Sequence, residues 1–201
     1  RPAQGDFAAR VMDLTRAVRA VALIPGTGEY ALATTALHVE DGLGVNLPVN
    51  VHAPSGQSDM ATALTQLREE LPNCGSVSLV VSWFGSDLRC GLCEVKPKVE
   101  PEARDAEGMP WRVAGLGRAE AARVSLSGGP VYGGTPADRA VIEAIRALRA
   151  AGQEVMFYPF LLMDQLAGNG LRDPWTGAED QPALPWRGRI TLMDAPGQAG
   201  S

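Results

Sequence analysis

The chain has 201 residues, of which 45% are hydrophobic and 20% charged, a composition typical of a globular protein with a sizeable core and not of a disordered chain. Its formal net charge of −5 argues against a broad nucleic-acid-binding surface, which would need clustered lysine and arginine. No apolar run approaches the roughly 18–20 residues of a transmembrane helix, and RPAQGDFAAR lacks the apolar core of a signal peptide. Because the first residue is Arg and not Met, we expect the chain to be a piece of a longer protein.

The first half of the chain predicts a strand, a helix and a second strand. RAVALIP (19–25) is a short apolar run that ends in Pro-Gly, as buried strands often do. Apolar residues then recur every three to four positions along SDMATALTQLREELPN, where Ser58 suits the N-cap and Pro72 the stop. VSLVVSW (77–83) follows at once and predicts a second buried strand.

The second half repeats the pattern after a long loop. TPADRAVIEAIRALRAAG predicts a helix with Pro136 at its first position and Gly152 as the glycine just beyond its end. EVMFYPFLLM (154–163) predicts a third buried strand. ARVSLS (122–127) and PWRGRITLM (185–193) are weaker extended segments.

Long loops follow the strands, whereas the helices run into the next strand after a few residues. This asymmetry is typical of parallel α/β units that carry functional loops at the carboxyl ends of the strands. We therefore predict an α/β domain over residues 19–194, between a leading segment (1–18) and a tail (195–201). Because an eight-stranded barrel takes about 250 residues, the chain is either an open sheet or the first part of a barrel.

Several long blocks resemble one known family. They are VALIPGTGEY, LPNCGSVSLVVSWFGSDLRCGLC, PWRVAGLGRAEA, VYGGTPADRAVI, and VMFYPFLLMD with DPWTG and PWRGRITL. In this order they resemble the TIM-barrel-like domain of the "megatron" baseplate tail proteins of alphaproteobacterial gene transfer agents and siphophages. The resemblance covers residues from about Arg19 to Leu192.

The resemblance implies a partial, glycoside-hydrolase-like (β/α) barrel at the tail tip of a virion-like particle assembled in the bacterial cytoplasm. The expected role is structural and directed at host cell-surface glycans. The expected partners are other tail proteins and copies of the chain itself, with no nucleic acid, membrane span or cofactor. The alternative is an active glycoside hydrolase that degrades envelope polysaccharide or peptidoglycan, whose usual catalytic carboxylates would lie beyond Ser201.

Three carboxylates follow predicted strands and are the candidate catalytic residues: Glu29, Asp87 and Asp164. In a parallel sheet all three would lie at one edge, where paired carboxylates perform sugar chemistry. Each one alone is more simply explained by loop hydrogen bonding. Asp87 is the best candidate, because Trp83 and Arg89 flank it as a stacking ring and a carboxylate partner.

Aromatic and basic residues near the strand ends are candidates for glycan binding: Trp83, Arg89, Tyr158 and Trp175. Sugar sites combine apolar ring faces with a few orienting polar groups. Core filling is the competing interpretation, and we favour it for Phe157 and Phe160. Trp175 lies in the polar loop RDPWTGAED and is the first choice for an exposed platform.

Cys90 and Cys93 form a CGLC motif that is either a disulfide, a pair of free thiols bracing a loop, or half of a zinc or iron–sulfur site. We favour the first two and predict no metal, because a four-ligand site lacks partners. Cys74 precedes a strand that these cysteines follow, about 23 Å away at ~3.3 Å per residue. His38 and His52 lack ligand spacing. Glycine-rich IPGTGEY and YGGTPAD lack the nucleotide-binding patterns, so turn geometry explains them.

Overall fold

The computed structural model describes residues 14–42 and 44–194, so the predicted tail and most of the leading segment lie outside the described residues. Its helices are α1 (Leu14–Ala17), α2 (Asp59–Glu70) and α3 (Asp138–Ala150), with a short 3-10 helix at Arg187–Arg189. Within the described ranges no helix has the length and apolar character needed to cross a membrane.

The strands are short except for two of ten residues each. In chain order they are β1 (Ala20–Leu23), β2 (His38–Glu40), β3 (Asn46–Pro48), β4 (Ser76–Gly85), β5 (Val95–Lys96), β6 (Lys98–Val99), β7 (Arg112–Val113), β8 (Leu116–Gly117), β9 (Ala122–Arg123) and β10 (Glu154–Met163).

The main sheet joins the three predicted strands in the order β1-β4-β10, all parallel. Val21 pairs with Val77, which also pairs with Val155. Short β5 pairs antiparallel with the end of β4. The predicted parallel alignment of VALIP, VSLVV and VMFYPF is therefore confirmed, and their carboxyl ends meet at one edge of the sheet.

Local sequence explains where the two long helices begin and end. The Ser58 hydroxyl accepts a hydrogen bond from the Ala61 N–H at 3.2 Å and caps α2, as predicted. At the end of α3, Gly152 has a φ of +83°. Its N–H and that of Gln153 donate to Arg149 and Leu148, which is a Schellman motif. The predicted start of α3 at Pro136 was wrong, because the helix begins at Asp138 after an N-cap at Ala137.

One face of the sheet forms the core and the other lies partly open. Val77, Leu79 and Val81 of β4 are buried, whereas Ser76, Ser78, Val80 and Ser82 between them are half-buried. Both long helices pack on the buried face, with Leu64, Leu67, Ala140, Val141, Ala144 and Leu148. Each large apolar side chain in this core stabilises the fold by roughly 1.5–3 kcal/mol through its removal from water.

The segment between β4 and α3 forms small ladders in place of a helix. β6 pairs parallel with β9, and β7 pairs antiparallel with β8. Trp111 fixes this segment to the core: its ring is 1% exposed and its indole N–H donates to the Thr135 carbonyl at 2.8 Å.

The predicted TIM-barrel-like α/β fold is wrong. Residues 14–42 and 44–194 form a mixed, sheet-rich structure whose main sheet has three parallel strands and one short antiparallel strand, with no barrel. The repeated strand–helix unit stops because 86–137 and 164–194 contain no helix of more than one turn. Those segments are rich in glycine and proline and lack helical periodicity, so they fold as ladders and turns.

Candidate functional site

The three strand-end carboxylates lie at the common carboxyl edge of the parallel sheet. Glu29 follows β1, Asp87 follows β4 and Asp164 follows β10, and each is 2–4% exposed. A carboxylate that is buried this deeply must be paired or hydrogen-bonded to stay ionised. Each of them has its own cation.

Glu29 is held by Arg118 from the long 86–137 segment. Arg118 Nη1 donates to Oε1 of Glu29 at 3.0 Å, and Arg118 Nη2 donates to Oε2. The Glu100 N–H also donates to Oε1, at 2.8 Å. Gly134 lies against Glu29, so closely that a Cβ there would lie 2.7 Å from Cγ. Burial raises the pKa of Glu29 above its ordinary value, although the hydrogen bonds from Arg118 and Glu100 oppose the rise.

Asp87 pairs with Arg89, as the sequence indicated. Arg89 donates to it from the backbone N–H at 2.7 Å, from Nε at 2.9 Å and from Nη2 at 2.6 Å. Gln181 adds a fourth hydrogen bond at 2.8 Å. Burial by itself would raise the pKa of Asp87, but the hydrogen bonds from Arg89 and Gln181 outweigh it and lower the pKa.

Asp164 receives the Lys98 ammonium on both oxygens, at 2.7 and 2.9 Å. The Ser125 N–H also donates to Asp164, at 2.9 Å. Both partners belong to the 86–137 segment. Asp164 and Glu29 thus attach that segment to the edge of the sheet, and neither leaves a free oxygen pair facing solvent.

A cavity of about 360 Å³ lies beside Glu29, at a place where the sequence predicted no site. Glu100, Tyr30 and His52 line it together with Glu29. His52 Nδ1 lies 2.8 Å from Asp59 Oδ2, which fixes the proton on Nδ1. Neither partner gave a sequence signal, because His52 and Asp59 lie in a loop and at a helix start without a motif.

The four candidate glycan residues do not share one cleft. Trp83 lines a shallow apolar groove with Val95, Phe157 and Leu161. The Arg89 guanidinium forms a salt bridge with Asp87. The expectation that Phe157 fills the core was wrong, since it is 49% exposed on an edge strand of the described sheet.

Tyr158 and Trp175 instead each contact a residue of the 3-10 helix. The Arg187 guanidinium lies 3.8 Å from the centre of the Phe160 ring and donates to the Tyr158 hydroxyl at 2.8 Å. Two residues further on, the Arg189 carbonyl accepts the Trp175 indole N–H at 2.6 Å. Trp186, directly before Arg187, is 71% exposed, and its ring occupies the place that a side chain at Gly188 would take.

We call this the aromatic–arginine surface; it consists of Tyr158, Phe160, Trp175, Trp186, Arg187 and Arg189. The prediction of an extended segment over 185–193 was wrong, because a 3-10 helix spans Arg187–Arg189, with Arg187 over the Phe160 ring and Arg189 over the Trp175 ring. The feature of the sequence that indicates this surface is the adjacent Trp and Arg in PWRGR.

The three cysteines fall into two separate places. Cys74 is buried in the core, just before β4, whereas Cys90 and Cys93 follow the other end of that strand as free thiols. In the described part of the chain, no three His, Cys, Asp or Glu side chains are grouped so that they could hold a metal ion.

Comparison with known protein families found no family model that matches the chain, and comparison with curated protein sequences found no match either.

Proposed function

We propose that this domain is a structural, surface-binding module of a phage-like tail tip, which contacts glycans on the host cell and does not hydrolyse them. The ordered sequence blocks from VALIPGTGEY to PWRGRITL support the tail-tip assignment through their resemblance to baseplate tail proteins. Its partners there are other tail proteins and further copies of the same chain.

The observation that carries a non-hydrolytic role is the pairing of every strand-end carboxylate with its own cation. A glycosidase needs two carboxyl groups free to face one sugar bond, about 5–5.5 Å or 6.5–9.5 Å apart. Instead, each carboxylate forms a salt bridge: Glu29 with Arg118, Asp87 with Arg89 and Asp164 with Lys98. Their role in this proposal is to hold the long loops against the sheet.

The aromatic–arginine surface is the proposed glycan contact. Trp186 and Trp175 are 71% and 41% exposed and offer ring faces on which the apolar side of a sugar packs. Arg187 Nη1 is buried with no hydrogen-bond partner among the described residues. That nitrogen is closed to solvent, so the proposed glycan contact is made by the two exposed rings and not by Arg187 Nη1.

Calorimetric titration of the chain with purified bacterial lipopolysaccharides and peptidoglycan fragments tests this proposal. We expect Trp186→Ala to weaken binding about tenfold or more, the equivalent of ~1.4 kcal/mol. Ile142→Ala is the control, because Ile142 is 47% exposed on α3 and belongs to no part of the aromatic–arginine surface, and it should bind as the parent chain does. Equal affinity of all three proteins, or no binding by any, would contradict the proposed surface.

One observation favours the rival function of a hydrolase. Burial raises the pKa of Glu29, which shares its cavity with Glu100, and a glycosidase acid and base are two such carboxyl groups; hydrolysis by this pair would require Arg118 to release Glu29. The same titrated mixtures distinguish the two functions when they are assayed for new reducing ends. The binding module releases none; release that Glu100→Gln abolishes would establish the hydrolase.

A further inference from the structure

Four sulfur-containing residues lie in or beside the turn that follows β4, in a place that the proposed glycan contact does not use. Cys90 and Cys93 belong to the turn itself, Met163 ends β10, and Met193 comes from the segment after the 3-10 helix. Cys90 and Met193 are 103 residues apart in sequence, so only the fold brings them together.

The turn places the two thiols on one side. The N–H groups of Leu92 and Cys93 donate to the Arg89 carbonyl at 2.9 and 3.0 Å, which is the hydrogen bonding of one helical turn. Residues three apart in such a turn have Cβ atoms about 5–6 Å from each other. Cys90 is exposed and Cys93 is partly exposed, so a metal ion can reach both thiols from solvent.

Two thioethers approach the turn where glycines make room for them. A Cβ at Gly85 would lie 2.8 Å from Met163 Sδ and 3.2 Å from Cys93 Sγ, so these two sulfurs contact the same point of the backbone. A Cβ at Gly91 would lie 3.2 Å from Met193 Sδ. Glycine at both positions is therefore what lets the sulfurs approach.

The segment that carries Met193 is fixed to the turn by main-chain hydrogen bonds. The Cys90 N–H donates to the Thr191 carbonyl at 2.7 Å, and the Thr191 N–H donates to the Leu88 carbonyl at 2.8 Å. This parallel bridge holds Met193 two residues beyond Thr191 and beside Gly91.

Thiolates with thioethers are the ligand set that selects Cu(I), whereas zinc sites add imidazole, carboxylate or further thiolates. We propose that Cys90, Cys93 and Met193, with Met163 as the fourth sulfur ligand, form a binding site for one Cu(I) ion. Binding converts the two thiols to thiolates, so each Cu(I) that enters releases two protons and no electron is transferred. Cys74 takes no part, because it lies in the core near the other end of β4.

Anaerobic competition with the coloured Cu(I) complex of bicinchoninate tests the site on the ascorbate-treated 201-residue chain. We expect the chain to remove one equivalent of Cu(I) from the chelator and the Cys90→Ser, Cys93→Ser double variant to remove none. Met193→Leu should weaken affinity by at least the 10–100-fold that loss of a supporting group costs a metal site. Met156→Leu is the control, because Met156 is an exposed methionine on the distant half of β10, and it should bind as the parent does.

The outcome of the methionine variants decides whether four sulfurs or only two hold the ion. Unchanged affinity in both Met193→Leu and Met163→Leu would overturn the proposal, as would an X-ray absorption spectrum with only two sulfur neighbours. Tighter binding of Zn²⁺ than of Cu(I) would overturn it as well. Met193 is 45% exposed, so its variant does not endanger folding. The test also does not depend on the glycan proposal.

Discussion

Asp87 is the residue where sequence and structure agree most closely on chemistry. It lies two residues from Arg89, and the side chains pair at 2.6 Å, as the spacing D-x-R indicated. Its remaining contacts define its role. Gln181 donates to Asp87 and accepts the Leu88 N–H at 3.0 Å, so the carboxylate organises the start of the loop after β4.

Asp87→Asn should destabilise the protein by about 2–3 kcal/mol, because it removes the charge that pairs with Arg89 and replaces Oδ2, the acceptor of Arg89 Nη2, by an amide NH₂ that cannot accept. Urea unfolding at pH 7 measures this loss. Since Asp87 supports the loop and lies apart from the aromatic–arginine surface, glycan binding should not change; a loss of binding at unchanged stability would place Asp87 in a site instead.

The same variant should change how stability depends on pH. The pKa of Asp87 is lowered in the folded state, so its charge stabilises the fold above its ordinary value of 3.8. That contribution is lost as the pH falls below 3.8 towards the folded-state pKa. The variant should therefore lose less stability than the parent below pH 4. Glu94→Gln is the control: Glu94 pairs with Lys96 at an exposed position, and it should cost less than about 1 kcal/mol.

The other two carboxylate pairs gave no sequence signal. Arg118 lies 89 residues from Glu29, and Lys98 lies 66 residues from Asp164. No pattern within one segment links such partners. They meet because the 86–137 segment folds back over the strand ends.

At the scale of elements, the most predictable feature is the start of α2. Ser58 is 2% exposed, and its hydroxyl satisfies the Ala61 N–H, which has no partner within the helix. Ser58→Ala should therefore cost about 1 kcal/mol, measured as the shift of the urea midpoint at constant slope. Ser55→Ala, in the same loop at an exposed position, should shift it by less than half as much. Equal shifts would show that the loop, and not the cap, is responsible.

The segment PWRGRITLM shows where element prediction fails. Its β-branched and apolar residues predict a strand, but the structure forms a 3-10 turn and a single bridge at Thr191. Arg187 contacts the Tyr158 and Phe160 rings of β10, and that packing decides the local conformation. Tertiary contacts outweigh a β-propensity whose whole range is about 1 kcal/mol.

For the whole molecule, the ion pairs at the sheet edge determine how the 86–137 segment is held. Lys98→Met would leave Asp164 buried without its cation and should cost about 3–4 kcal/mol. Because the segment would loosen, limited proteolysis should cut it faster at sites between 99 and 133, and urea unfolding gives the stability loss. Lys96→Met, from the exposed pair with Glu94, is the matched control. Equal proteolysis rates in both variants would show that Trp111 and the ladders hold the segment without the ion pair.

The sequence by itself determined the three parallel strands, the two long helices, the N-cap of α2 and the glycine that ends α3, because periodicity, N-cap and glycine signals act over a few neighbouring residues. It also placed Glu29, Asp87 and Asp164 at one edge. Only the tertiary structure decided that the strand–helix unit does not continue into a barrel and that each of those carboxylates pairs with a cation. It also decided which residues form the aromatic–arginine surface and which sulfur-containing residues lie at the turn after β4. The reason is physical: these features depend on contacts between residues far apart in the chain, whose energies no local pattern records.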